Sequence, residues 1–210
     1  MIDCERTAQA PAGLDNPPGA YRSTDVVERL WLDFFHKCYL CETPIEKGGF
    51  EIDHRRPVGD GGAVCAWSNL FPACGDCNGR RPKRWPVGGL LDPTVDRVEG
   101  QLQQWLDDEC YPHFIPSNAT VIAKNTADEL VHIHCDSRSA KAADLRATIE
   151  RQLRRVLEKV VKWMDLRARV SNSADIARIE DELRLLVSRR SPYTMLIRSR
   201  VEMYIGHLFD

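Results

Sequence analysis

The chain has 210 residues, 43% hydrophobic and 29% charged, with a formal net charge of −2. This is a globular balance, with length for one large domain or two small ones, and it excludes wholesale disorder, a collagen-like fibre and a disulfide miniprotein. No run of about 18 apolar residues is present to span a membrane, and MIDCERTAQAPAG lacks the basic and apolar regions of a signal peptide, so a cytoplasmic protein is expected. The near-neutral total hides local fields: residues 86–135 carry two basic and eight acidic side chains, residues 136–210 sixteen and eleven.

In chain order, residues 1–23 hold Pro11, Gly13, Pro17, Pro18 and Gly19 with few bulky apolar groups, which predicts an arm that is mobile or ordered only on contact. Ser23 or Thr24 caps a helix whose Val26, Val27, Leu30, Trp31, Phe34 and Phe35 recur at helical spacing. With the cysteine-rich block that follows, this helix forms a unit over 24–90. Gly48-Gly49 opens a strand over Phe50–His54. Gly59, Gly61 and Gly62 mark a loop, Trp67–Leu70 is a second extended or turn piece, and a helix runs from near Cys74 to before Pro82.

Residues 91–210 read as an accessory, mostly helical region. Asp92 and Pro93 begin a predicted helix through Val95, Val98, Leu102, Trp105 and Leu106. Thr120–Lys124 and Glu129–Cys135 alternate as a β-hairpin. A long helix over 139–169 lines up Ala142, Leu145, Ile149, Leu153, Val156, Val160 and Met164. A break at Ser171-Asn172-Ser173 leads to a second helix with Ile176, Ile179, Leu183, Leu186 and Val187, and Ser191-Pro192 starts a third. Trp31, Trp105 and Trp163 fall on apolar faces and are expected in the core.

Four of the eight cysteines form two Cys-x2-Cys pairs, Cys38/Cys41 and Cys74/Cys77, with 32 residues between them. Such pairs can place four thiolates around one structural zinc, stapling a block too small to bury a core alone. A Cys4 zinc has no open position, so chemistry must fall to other residues. Cys4, Cys65, Cys110 and Cys135 read as free thiols, His36 as a helix-end residue, and His132 and His134 as structural.

Between and beside the knuckles stand Asp53, His54, Asn69 and Asn78. Aspartate and carboxamide oxygens suit Mg²⁺ or Mn²⁺, and a neighbouring neutral histidine can take a proton from water near pH 7. Base plus hard cation describes phosphodiester hydrolysis. The ordered pattern of C-x2-C, Asp53-His54 with Pro57 and Gly61-Gly62, Asn69-Leu70, then C-x2-C-Asn resembles the HNH endonuclease family over residues 38–85. The resemblance implies an α+β protein with a ββα-metal core around one divalent ion. By that resemblance His54 is the general base, Asp53 and Asn78 ligate a catalytic Mg²⁺ or Mn²⁺, and Asn69 orients the histidine or pins the loop. Asn78 stands where the family name has its last histidine.

The HNH core, then Trp67-x-Asn69-Leu70, Leu90-Leu91-Asp92-Pro93 and a helical half, is similar to the small HNH proteins of Septu-type and retron-associated anti-phage systems. That similarity implies DNA as substrate, an ATPase subunit as partner, and a hetero-complex or homo-oligomer. Arg55, Arg56, Arg80, Arg81, Lys83 and Arg84 flank the site and are expected to cradle phosphates. The stripe Arg146, Arg151, Arg154, Arg155, Lys159 and Lys162 is expected to track DNA, face solvent or dock an acidic partner. The competing class is a zinc-knuckle module that binds nucleic acid or protein without catalysis.

Overall fold

The computed structural model describes residues 1–15, 19–109, 111–135 and 140–210, with the main chain alone for Lys141. Pro17, Pro18 and Cys110 lie outside the described residues. Helix α1 (Thr24–Asp33) buries Val26 and Leu30, followed by Phe34 at the next turn, against strand β2 (Leu70–Ala73). Strand β1 (Glu51–His54) pairs antiparallel with β2, Asp53 opposite Phe71 and His54 opposite Leu70, and helix α2 (Gly75–Arg80) follows directly. These three elements form the expected ββα unit.

The N-terminal segment is docked on this unit. Met1 and Ile2 are buried, and the Met1 amine donates to Gln104 (2.8 Å) and faces Glu42 (3.1 Å). Asp33 accepts from the Thr7 amide and hydroxyl, both at 2.8 Å. The Arg6 guanidinium lies over Trp67 and Phe71 and donates to the Trp67 and Leu70 carbonyls (2.8 and 2.9 Å). Burial lowers its pKa to about 10. The expectation of a mobile arm is therefore corrected to one ordered by contact, because a few anchors outweigh its Pro- and Gly-rich composition.

Two further expectations are overturned. Asp92 Oδ1 accepts from the Thr94 amide (2.9 Å) and closes a turn instead of opening a helix, and Val95 is exposed. Only the short α3 (Val98–Gln101) is helical there. The chain then forms the hairpin β3 (Leu102–Leu106) and β4 (Pro112–Pro116), with Gln104 opposite Phe114. The hairpin expected over 120–135 is instead helix α4 (Val121–Cys135), which buries Ala123, Ala127, Leu130 and Ile133 at helical spacing.

Helices α5 (Ala140–Arg169) and α6 (Ser173–Val187) match the forecast closely, whereas α7 (Thr194–Ile205) starts after the left-handed Tyr193, with the forecast Ser191-Pro192 start in the turn before it. Asn172 caps α6 by accepting from the Ala174 amide (2.9 Å). Among the described residues, no helix is long and apolar enough to cross a membrane. The three tryptophans expected in the core are half-buried: Trp31 stacks on His36 and Trp105 on His113. The molecule is thus α+β, with two small antiparallel sheets set among helices.

On α4, His134 is buried against Phe114, and neither ring nitrogen has a hydrogen-bond partner among the described residues. Burial lowers its pKa to about 3. The Met1 amine and Arg80 reinforce the shift, and Cys38 and Glu42 oppose it. Below about 6.5 the unfolded chain gains a proton that the native chain refuses, so stability falls with pH down to about 3. The expected loss is about 2 kcal/mol between pH 6.5 and 5. Urea unfolding of His134→Leu should lack this component, and an equal acid slope in both chains counts against it.

Candidate metal centre and active site

The first knuckle is a tight turn after α1, in which the Cys38 amide donates to Thr43 O (2.9 Å) and the Glu42 amide to Cys38 O (2.9 Å). In the second, Cys74 is the N-cap of α2 and Cys77 lies in its first turn. The two turns bring the sulfurs of Cys38, Cys41, Cys74 and Cys77 within 4.8 Å of one another, with Cys41 and Cys74 at 3.8 Å. A tetrahedron with Zn–S near 2.3 Å has sulfurs about 3.8 Å apart, so the donor set and spacing fit one structural zinc. Burial opposes a Cys38 thiolate, but hydrogen bonds from the other three thiols outweigh it and pull Cys38 well below the usual thiol range. The thiols of Cys41 and Cys77 are pushed well above it, first by their hydrogen bonds to Cys38.

The knuckles hold α2 against β1, and a cleft opens where they meet. Asp53, His54 and Asn78 line it together with Ile52, Pro57 and Lys83. The His54 ring donates from Nε2 to the Val64 carbonyl (2.9 Å) and meets the edge of Tyr21 at 5.0 Å. In the neutral ring, this bond places the proton on Nε2 and the lone pair on Nδ1. Asn69 is buried and touches main chain: Oδ1 accepts from the Arg56 amide (2.8 Å), and Nδ2 donates to the Arg56 and Ala63 carbonyls (3.1 and 3.0 Å). It pins the loop that ends at Val64, and so fixes the carbonyl that orients His54. Gly62 permits this closure, since a Cβ there would fall 1.9 Å from the Arg56 carbonyl oxygen.

Asp53 is buried on the opposite face of β1 from His54. Its Oδ2 accepts from the Tyr39 hydroxyl (2.5 Å) and the Arg81 guanidinium (2.6 Å), and Oδ1 takes part in neither bond. The Asn78 amide nitrogen donates to Glu51 at the start of β1. Residues Asp53, His54 and Asn78 thus all line one cleft, while the Asp53 carboxylate reaches Tyr39 and Arg81 on the other face of β1 and Asn69 is not among the lining residues.

Five of the six cations expected at phosphates donate to protein groups, and the buried Arg81 is wholly committed to them, which corrects that expectation for Arg81. Arg81 is buried and binds Asp53, Glu129 (2.9 Å) and the His54 and Arg55 carbonyls. Arg80 donates to the Ile133 and His132 carbonyls of α4, both at 2.7 Å. Arg55 donates to Leu90 O (2.6 Å), pairs with Asp92 (3.5 Å) and lies over Trp85. Arg56 reaches Asp60 O (2.8 Å), Lys83 reaches Asn78 O (3.0 Å), and Arg84 is exposed. Within the α5 stripe, Arg146 is held by Tyr111 and His134 O and Arg154 by Glu150, whereas Arg151, Arg155, Lys159 and Lys162 are exposed.

Sequence reasoning missed Tyr39, Glu51, Tyr21 and Glu129. Tyr39, between the first two cysteines, carried the one available signal, a polar aromatic inside a motif. Glu129 had none, because its helix was read as strand.

The family model for HNH endonuclease matches residues 38–84. No curated protein and no solved structure matches the chain. The matched span runs from the first knuckle to just past α2, so an HNH domain coincides with the zinc-fit cluster and the cleft.

Proposed function

We propose that this protein is a cytoplasmic, metal-dependent endonuclease that hydrolyses DNA phosphodiester bonds with water, leaving 5′-phosphate and 3′-hydroxyl ends. One observation carries the reading: His54 stands with Nε2 committed to the Val64 carbonyl in the same cleft as Asp53 and Asn78, inside the HNH match. In this reading Nδ1 of His54 takes the proton of the attacking water. The loop pinned by Asn69 holds the ring through the Val64 carbonyl, which leaves Nδ1 for the water. Asp53 Oδ1 and the Asn78 carbonyl oxygen are the donors for Mg²⁺ or Mn²⁺, which when bound would supply charge stabilisation at the phosphate and the leaving oxygen. The Asn78 amide nitrogen, tied to Glu51, leaves its oxygen available.

Plasmid nicking with Mg²⁺ or Mn²⁺ tests the reading. His54→Ala should lose about 10²–10⁴-fold in rate with zinc content and thermal unfolding unchanged. Undiminished cutting removes His54 as base. The competing reading, a zinc-held binding module without catalysis, draws on the pairing of Asp53 with Arg81. Binding of DNA with no nicking under either metal would favour it.

The same proposal extends to context: an effector of anti-phage defence that works beside an ATPase subunit. An HNH core followed by a helical half supports it. Co-purification with an ATPase encoded by a neighbouring gene would test the partnership, and full nuclease activity of the isolated chain counts against it.

A further inference from the structure

We propose that the cut strand lies in a groove across β1 and α2, and that Arg22 binds the phosphate neighbouring the scissile one, on the side away from Lys83. The inference rests on the nuclease reading above. Two cavities, of about 530 and 330 Å³, open on this face and share Ile52 and Asn78. One runs past His54 to Lys83. The other runs past Phe50 and Gly48 to Arg22. The two cavities share a wall at Ile52 and Asn78, with the proposed base and Lys83 lining one and Arg22 lining the other.

Arg22 is exposed and forms no ion pair among the described residues; its guanidinium lies over the Tyr21 ring at 5.3 Å. It is the one cation lining its cavity. Glu51 lines that cavity too, but its carboxylate already accepts from Asn78. Tyr21 sets the position by meeting His54 edge-on, so the arginine follows directly on the residue that touches the proposed base. The apolar wall of Val27, Phe50 and Ile52 suits sugar and base faces, and the arginine suits a phosphodiester oxygen. With Arg81 wholly committed to protein groups, Arg22 supplies a phosphate contact that Arg81 cannot.

The test measures binding of a short fluorescein-labelled DNA duplex to His54→Ala protein in Mg²⁺, by anisotropy across a salt series. Adding Arg22→Gln should weaken binding several-fold and lower the slope of log K against log [salt] by about one phosphate contact. Arg22→Lys should keep the slope, because an ammonium also neutralises a phosphate. Binding by the parent with the same affinity and slope in Arg22→Gln overturns this inference alone. A parent that binds no DNA overturns it together with the nuclease reading.

Discussion

Cys74→Ser protein is expected to bind no zinc and to lose the cooperative unfolding of its knuckle block. Cys74 is the N-cap of α2, and serine is itself a good N-cap. The substitution therefore keeps the local helix signal and removes a sulfur, so the loss reports the metal. Structural zinc in small domains contributes roughly 10–16 kcal/mol of apparent binding energy, comparable to the whole stability of a typical domain, about 5–15 kcal/mol. Here the block shares its core with α1 and the N-terminal segment, so part of the fold should survive. A deficit of more than about 3 kcal/mol is expected, with zinc absent by metal analysis. Near-native zinc content, or a melting point within about 2 °C of the parent, would refute the tetrathiolate staple.

Arg81→Met should be nearly as damaging, for a different reason. The guanidinium is buried between Asp53 and Glu129 and also satisfies two β1-end carbonyls. Methionine fills much of the volume but leaves both carboxylates without their counter-ion, which costs about 3–5 kcal/mol. Burial already raises the Glu129 pKa, and Arg81 only partly offsets that. Without Arg81 it rises further. The native variant then holds a proton that the unfolded chain releases near 4.5, so its stability falls as pH climbs above that value. The gap between parent and variant in urea midpoints should widen from mild acid to neutral pH. A gap under about 1 kcal/mol at neutral pH, or one that narrows toward neutrality, would contradict the buried-pair account.

What the sequence disclosed, and what it hid, follows from the range of the forces involved. The knuckles were legible because zinc coordination imposes fixed spacing, and the ββα unit followed from Gly and Pro punctuation around them. The α6 cap at Asn172 and the apolar face of α5 are likewise local signals. The 120–135 stretch misled because Val121, Ile122, Val131 and Ile133 favour strands, whereas its burial against β4 selects the helix. The β3–β4 hairpin was hidden in residues that also fit a helical period. Gln104 is buried in it because the Met1 main chain accepts from its amide, a contact over a hundred residues away in sequence. At the site, residue types were readable but their partners were not. Arg81 looks like a phosphate ligand until the carbonyls and carboxylates it binds become visible.

Glu129 reaches from α4 to the rear of β1, and Lys37 beside the first knuckle donates to the Arg189 and Ser191 carbonyls just ahead of α7. The matched segment is consequently not a portable cassette. Excised at its borders, residues 38–84 would expose an arginine stripped of half its anionic cage and would leave behind the lysine that ties the first knuckle to the segment ahead of α7. Engineers who graft this segment onto another scaffold would need to carry α4 and Lys37 along, because the packing behind β1 and beside the first knuckle is completed by residues outside the matched span.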